Sequence, residues 1–361
     1  MKLREITLDD YKSVCAVQKR NGISNKTFSE WKHLLVGHPF VGQLDGVSIG
    51  WVLENDKGEI VGSNTNVPML YEFNGKFLRV ANASSWVVDE NYRGYSIKLG
   101  MAWVNQKNVD LLLDISAIEP VAKLLVARKF LPLPASWYTR SLLWILDYPV
   151  FTGSVFRKKQ IETPFYINYI LGTLIRSTDY IFGKNRTPSM SNRFDIDETT
   201  VFDKNFDDLW EKLRKTKNRL LLCRDAKSLT WRHKSLKEKG KLCIITAFQN
   251  GILKGYAILW EYSRDHLGLR GFQVADLQAE NDDPMCIETL ILHSLQAARS
   301  RGMHVLEATG FNQIKRKILE QLNPHKLPGY LMPYYYRVAN PELAMLLGNE
   351  SCWDPTISDG F

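Results

Sequence analysis

The chain of 361 residues is 45% apolar, 24% charged and 11% aromatic, with a formal charge of +8. That composition excludes disordered, collagenous and low-complexity classes, and the length suits two domains, each with its own core. The most apolar windows, near Phe165–Thr173 and Ser141–Val155, are too short or too charged for a bilayer span.

In chain order, apolar spacing predicts helical stretches over Asp10–Arg20 and around Lys32. Two strands follow, Val47–Leu53 and Glu59–Val67, joined by the turn Asn55-Asp56-Lys57-Gly58. A strand over Lys76–Val88, a helix over Ser96–Lys107, a short strand Leu111–Asp114, a helix Pro120–Arg128 and an aromatic-rich strand Ser136–Ile145 complete a first set. Phe151–Asn192, punctuated by Pro164, Gly172, Gly183 and Thr187-Pro188-Ser189, reads as a connecting helix and a linker. The order then repeats. Helical stretches Phe206–Lys215 and Lys227–His233 precede a hairpin, Leu242–Phe248 and Ile252–Tyr262, turned on Asn250-Gly251. After it come a strand Leu269–Gln278, a helix Cys286–Arg301, a strand His304–Ala308, a helix Gln313–Leu322 and an aromatic strand Gly329–Val338. Two copies of one α+β order are expected, over 1–150 and 193–361, with 151–192 between them.

The five cysteines (Cys15, Cys223, Cys243, Cys286, Cys352) are odd in number and widely spaced, which predicts buried thiols in a reducing compartment and no zinc site. The opening Met1-Lys2-Leu3-Arg4-Glu5 has no apolar run behind it, so a cytoplasmic location is expected, with no membrane partner. The denser basic groups Arg214–Lys217 and Lys315–Lys317 lack interleaved aromatics; they read as solvated helix faces, and no nucleic-acid partner is expected. The histidines have no metal spacing, and His233 and His266 read as core or surface residues. The run Tyr334-Tyr335-Tyr336 could stack on a sugar or base, but fits the core and rim of a strand better.

Chemistry concentrates in Ser84-Ser85-Trp86-Val87-Val88-Asp89-Glu90-Asn91-Tyr92-Arg93-Gly94-Tyr95-Ser96-Ile97-Lys98-Leu99. A strand ending at Val88, an Arg-Gly turn and a helix starting near Ser96 would aim backbone N–H groups and a helix N-terminus at one spot, suited to a phosphate. Gly94 would admit close approach of a ligand, and Ser96 could cap the helix. The second copy carries Glu280, Asp282, Asp283 and Pro284 at the matching place, which would repel a phosphate and remove a donor. One ligand site, in the first copy, is therefore expected.

This order of elements and residues resembles the GNAT acyl-CoA N-acyltransferases. The resemblance implies two tandem GNAT-like domains, each a mixed, mostly antiparallel sheet flanked by helices, the second degenerate. In that family an Arg/Gln-x-x-Gly-x-Gly/Ala motif holds the pyrophosphate of coenzyme A. Arg93 falls on its first position, while Ser96 and Lys98 replace the two small residues, a departure at Lys98 above all. The implied coenzyme-binding residues are Val87, Val88, Arg93, Gly94, Tyr95, Ser96, Ile97 and Lys98, with a backbone donor for the thioester near Val87 or Val88. The tyrosine that often protonates the leaving thiolate falls on Val126. Polar candidates for catalysis at the mouth of the crevice are Ser84, Ser85 and Asp114, with Asn82 and Ser116 nearby. Leu229-Thr230-Trp231-Arg232 and the closing Trp353–Phe361 resemble tandem GNAT proteins of bacterial polysaccharide pathways. That resemblance implies an acceptor amine on a nucleotide-linked amino sugar of the dTDP-4-amino-4,6-dideoxy kind, with acyl-CoA as co-substrate and no metal. The alternatives are a FemABX-type aminoacyl transferase, which would want a coiled coil that the sequence lacks, and a non-catalytic GNAT-like binding module.

Overall fold

The computed structural model describes residues 1–40, 42–184, 192–328 and 334–360. The first half runs β1 (Lys2–Glu5), α1 (Tyr11–Arg20), α2 (Phe28–Val36), β2 (Gly50–Glu54), β3 (Ile60–Phe73), β4 (Lys76–Val88), α3 (Ser96–Val104), β5 (Leu111–Asp114), α4 (Glu119–Ala127), β6 (Leu131–Pro132) and β7 (Arg140–Ile145). Local chemistry sets the boundaries. Helix α2 opens on a capping box in which Glu30 N–H donates to Thr27 Oγ1 at 3.2 Å and Thr27 N–H donates to the Glu30 carboxylate at 2.9 Å. Strand β3 outruns its expected end and turns into β4 through Asn74-Gly75, both at positive φ (52° and 83°), the tight turn that long antiparallel strands favour.

The connecting segment holds two helices instead of the expected one: α5 (Tyr148–Lys158) and α6 (Phe165–Ile181), separated at Pro164. They pack closely because Gly172 has no side chain; a Cβ there would lie 2.7 Å from the Pro149 nitrogen. The expected linker residues Thr187, Pro188 and Ser189 lie outside the described residues. The second half runs β8 (Asp195–Thr199), α7 (Lys204–Leu213), β9 (Leu221–Leu222), α8 (Ala226–Glu238), β10 (Leu242–Gln249), β11 (Ile252–Arg264), β12 (Leu269–Ala279), α9 (Pro284–Ser300), β13 (Val305–Thr309), α10 (Gln313–Gln321), β14 (His325–Pro328), β15 (Tyr335–Val338) and α11 (Pro341–Leu347).

Two mixed sheets result. The first has the order β1-β2-β3-β4-β5-β15-β6, with β9 added to the outer part of β3; the second has the order β14-β7-β13-β12-β11-β10-β8. The sequence reading gives each copy its own last strand, and the structure differs. Strand β7 leaves the first half to lie between β13 and β14, and β15 leaves the second half to lie between β5 and β6. The exchange is reciprocal, so each sheet is completed by the other half. Apolar alternation cannot reveal this, because β7 and β15 present similar patterns to whichever sheet receives them.

One core lies between the first sheet and α3 and α4, where Ala81, Ala83, Leu99, Trp103, Leu112 and Leu125 meet. A second lies on the opposite face against α1 and α2, with Val14, Trp31, Val67, Met69, Val80 and Leu113. A third packs α9 and α10 on the second sheet. All five cysteines are buried and free, as expected. The reading of Lys315–Lys317 as a solvated face fails for two of its residues. Lys315 is fully buried and Arg316 nearly so, because α10 turns them toward carboxylates and carbonyls of the interior.

Candidate active site

Strands β4 and β5 run parallel and pair from Val80–Leu111 to Asn82–Leu113. Beyond Asn82 they part, leaving Ala83–Val88 on one lip of a crevice and Asp114–Ser116 on the other. A bulge in β4 sharpens the divergence: Ser85 and Trp86 together oppose Asn64 of β3, and Ser85 takes φ +54°. The Thr65 hydroxyl donates to the Ser84 carbonyl at 2.5 Å and holds the bulge in place. Strand β12 repeats the device, with Ala275 as its extra residue. Among the described residues, no strand pairs with the crevice edge of β4 after Asn82.

The turn after β4 is well anchored. Asp89 accepts from the Arg20 guanidinium at 2.6 Å and from Asn21 Nδ2 at 2.9 Å, which fastens it to α1. From there the expectation needs correcting. Glu90–Tyr95 form a 3-10 helix that continues directly into α3, and the Ser96 N–H is engaged by the Arg93 carbonyl. Ser96 is therefore the first residue of α3 and not its cap; Tyr95 stands at the cap position with no side-chain hydrogen bond. The helix N-terminus is not displayed as a free cradle. What the turn does offer is exposed Arg93, Gly94, Tyr95, Ile97 and Lys98. A Cβ on Gly94 would meet nothing within 4 Å, and the Lys98 ammonium rests 5.2 Å from the centre of the Tyr95 ring. Val87 and Val88 are buried beyond the bulge, paired with Ser63 and Gly62.

Register divides the catalytic candidates. Asn82 and Ser84 oppose Val67 and Thr65 and share the face of α1 and α2, whereas Asp114 follows Leu112 onto the face of α3 and α4. Ser84 and Asp114 flank the same mouth from opposite faces of the sheet. Ser85, half-buried with its hydroxyl 3.4 Å from that of Ser84, supplies the bulge. Asp114 is 5% exposed; burial pushes its pKa up to about 6, against a stabilising hydrogen bond from the Ser116 N–H at 3.0 Å.

Sequence reasoning missed a set of buried polar side chains on β3 and β4, Ser63 and Asn82 on the α1–α2 face of the sheet and Asn64 and Asn66 on the other. Ser63 Oγ, both amide atoms of Asn64, Asn66 Oδ1, Asn82 Oδ1 and the Trp86 indole N–H find no partner within the protein. Left dry, each such atom would cost about 1–3 kcal/mol, so this run calls for water or a bound ligand. Trp86 packs under α3 because Gly100 makes room; a Cβ there would lie 2.5 Å from the indole. The signal in the sequence was the polar run Ser63-Asn64-Thr65-Asn66 within an apolar strand.

A cavity of about 640 Å³ flanks α3 on its β1–β2 side, lined by Trp51, Ile97, Lys98, Met101, Asn105 and Gln106 among others. No residue of β4 or β5 lines it, so it is distinct from the crevice despite sharing Ile97 and Lys98 with the turn.

The second crevice is filled from within. Asp283 caps α9 by accepting from the Met285 N–H at 2.9 Å, and Glu280 is paired with Lys254 and Lys212. The closing segment bridges from Trp353 to Leu220 and from Thr356 to Gly310. Its Asp354 binds Lys315 Nζ at 2.6 Å and also the Arg219 guanidinium, both cations buried, with Asp282 3.2 Å from Arg219. Asp359 follows, 3.1 Å from Arg224, which also binds Asp276 at 2.8 Å. Arg232 has a different environment: Nη2 donates to the Cys223 carbonyl at 2.9 Å, while Nε and Nη1 are buried without a protein partner. His233 is a buried core residue that accepts from the Trp260 indole at 3.2 Å, and His266 is exposed.

No protein-family model matches this sequence, and no curated protein matches it. Solved structures do resemble the fold. A GCN5-related N-acetyltransferase from Anabaena variabilis superposes with a TM-score of 0.58 at 11% identity, covering 94% of this chain and 73% of that one. An N-myristoyltransferase of Saccharomyces cerevisiae with bound myristoyl-CoA gives 0.54 at 12% identity, over 93% and 78%. A probable N-acyltransferase from Enterococcus faecalis gives 0.55 at 10% identity, over 93% and 72%. The fold is therefore that of the GCN5-related N-acetyltransferases, present as two tandem units.

Proposed function

We propose that the chain transfers a short acyl group from acyl-coenzyme A to the amine of a small acceptor. The coenzyme would lie along the free edge of β4, with its phosphates against the Arg93–Lys98 turn. The observation that carries this reading is that edge: β4 leaves β5 at Asn82 and runs on, still paired with β3, to an exposed turn bearing Arg93 and Lys98, and among the described residues no strand pairs with its other edge. The residues suit the group. Arg93 and Lys98 offer two cations to a pyrophosphate, and Gly94 leaves the backbone open between them. Because the Ser96 N–H is already engaged, recognition would rest on these side chains more than on a helix N-terminus.

Acyl-CoA supplies an activated thioester: the acceptor nitrogen attacks the carbonyl carbon, the C–N bond forms, the C–S bond breaks, and the electron pair leaves on the thiolate. A backbone N–H at Val87 or Val88 polarises the carbonyl oxygen. Asp114, an acid of pKa about 6, is ionised at neutral pH and receives the proton that the ammonium sheds. Ser84 orients the acceptor from the face of α1 and α2, and Val126 provides no acid, so the thiolate leaves unprotonated. For the acceptor we favour a nucleotide-linked amino sugar of the dTDP-4-amino-4,6-dideoxy kind. The resemblance of Leu229–Arg232 and of the closing segment to polysaccharide-pathway proteins supports it.

One observation favours a non-catalytic binding module instead: the engaged amide at Ser96, together with Lys98 where a small residue is usual. Calorimetry separates the two, with coenzyme A titrated into wild type and Gly94→Trp, with and without dTDP. Micromolar binding lost in the variant supports the acyltransferase reading, and tighter binding with dTDP supports the acceptor. A wild type that does not bind coenzyme A refutes the reading.

A further inference from the structure

Helix α6 is built inside out. The fully buried residues it turns inward are Asn168, Gly172 and Asp179, all committed, with half-buried Ile175 between them packed on the core of Leu143, Ile145 and Tyr148. Asn168 Oδ1 accepts from Thr163 Oγ1 at 2.7 Å, Gly172 lies against Pro149, and Asp179 accepts from the Tyr148 hydroxyl at 2.9 Å and pairs with His325 at 2.7 Å. The outward seam is mostly apolar, and its Thr173 and Ser177 hydroxyls are satisfied by carbonyls of their own helix. Tyr166, Ile170, Leu174 and Ile181 are 64%, 56%, 57% and 76% exposed, with Phe165 and Phe182 at the two ends. A solvated helix has the opposite polarity, and the satisfied inner seam prevents α6 from rolling over to hide the outer one.

Two further features surround this face. Beside it lies a cavity of about 630 Å³ whose lining includes Tyr169, Arg176, Tyr180, Lys184 and Arg299. Asp147 also lines it, but its carboxylate is used in capping α5, where it accepts from the Val150 N–H at 3.0 Å. At the start of α6, the end of α5 carries Arg157, Lys158 and Lys159, all exposed, with Arg157 Nε donating to the Leu267 carbonyl at 2.8 Å.

We propose that the α5–α6 hairpin docks the protein on an anionic lipid surface. Helix α6 would lie in the plane of the interface, with Tyr166, Ile170, Leu174 and Ile181 at the acyl boundary and the tyrosines at headgroup depth. Arg176 and Arg299 would take a lipid phosphate in the cavity, beside Lys184, whose ammonium already donates to Asn323 Oδ1 at 3.0 Å and to the Pro324 carbonyl at 3.2 Å, and the basic end of α5 would add attraction to anionic lipid. The helix is not long and apolar enough to cross a bilayer, which agrees with an in-plane role. A second copy of the chain fits less well, because two such faces would bring their basic rims together. The proposal revises the expectation of no membrane partner, and it stands apart from the acyltransferase reading.

The test is co-sedimentation of the full chain with vesicles of phosphatidylcholine alone and of phosphatidylcholine mixed with phosphatidylglycerol. Retention on the anionic vesicles, falling as salt rises, is expected. The double variant Ile170→Ser/Leu174→Ser should lower it at least about tenfold. Both positions are more than half exposed, and unchanged far-ultraviolet circular dichroism confirms that the variant is folded. Arg176→Glu should weaken retention on anionic vesicles only. Failure of the wild type to bind anionic vesicles, or equal retention of the double variant, overturns the proposal. A wild-type dimer in sedimentation velocity that the double variant dissolves would assign the face to a second copy and overturn it as well.

Discussion

Asp354→Asn should be among the most disruptive isosteric changes in this protein. The carboxylate is fully buried and serves two buried cations, Lys315 Nζ at 2.6 Å and the Arg219 guanidinium, while its other oxygen accepts the Asn312 N–H at 2.9 Å. Removing one member of such a cluster leaves an uncompensated charge in the interior, at a cost of about 3–5 kcal/mol. Asp282, 3.2 Å from Arg219 and 3.9 Å from Lys315, offers partial compensation, which argues for the lower end, about 3 kcal/mol. For 361 residues the unfolding entropy near the transition is about 0.8 kcal/mol per kelvin, so Tm should fall by about 4 °C. Urea unfolding followed by tryptophan fluorescence and calorimetry would read both quantities. Adding Lys315→Met to the variant removes one orphaned cation and should recover part of the loss. Burial would raise the Asp354 pKa, but the two cations outweigh it and hold the carboxyl below its ordinary range. Its stabilisation is accordingly full above about pH 4 and is lost as pH falls further. By contrast Glu119→Gln, at a pair with Lys123 whose side chains are 80% and 76% exposed, should stay within about 0.5 kcal/mol of wild type. An Asp354→Asn variant that stays equally close, or one that Lys315→Met fails to improve, would refute the reasoning.

Asp114 should trade stability for activity. Its folded pKa of about 6 exceeds the unfolded value of about 3.9, so the protein loses stability as pH rises between them, by about 3 kcal/mol in all. Asp114→Asn should abolish that slope, raise Tm at pH 7 and slow acyl transfer; a variant of unchanged activity would remove Asp114 from the mechanism. His233, kept neutral by burial with a pKa of about 3, should act in the opposite direction. Stability falls as pH drops from about 6.5 toward 3, and His233→Gln should flatten that acid limb in pH-dependent urea unfolding. A fragment comprising 1–150 lacks β15, which bares one edge of β5 and leaves β6 without a partner, so it should be insoluble or molten by near-ultraviolet circular dichroism. A cooperative fold in that fragment would contradict the dependence of the first sheet on β15.

The sequence was most informative where periodicity and turn chemistry coincide. The bounds of β4 and β5 and the repeated order of helices and strands could be read directly, because Lys76–Val88 and Leu111–Asp114 are delimited by turns and filled with β-favouring residues. The partners of β7 and β15 could not be read, since a strand's own pattern names a face and not a neighbour. Lys315 and Arg316 looked like surface charge for a related reason: the carboxylate that neutralises Lys315 is Asp354, distant in sequence and unmarked as a partner. The turn at Arg93–Ser96 was located correctly, but its hydrogen bonding was not, because nothing in the residues foretells that a 3-10 helix will run unbroken into α3. The bulge at Ser85 escaped notice because serine gives no sign of the left-handed backbone that the fold imposes on it.

The exchanged strands also set a schedule for synthesis. Strand β5 is made at residues 111–114, yet its neighbour β15 begins at Tyr335. At translation rates of roughly 5–20 residues per second, the first sheet waits roughly ten to forty-five seconds for its missing strand. Over that interval the nascent chain carries a parallel strand with a bare edge beside an apolar face, while β7 waits for β13 in the same way. The ribosome-bound intermediate is therefore a natural client for a chaperone that shields strand edges. The second sheet is complete only when β14 has emerged, and the first only when β15 follows it.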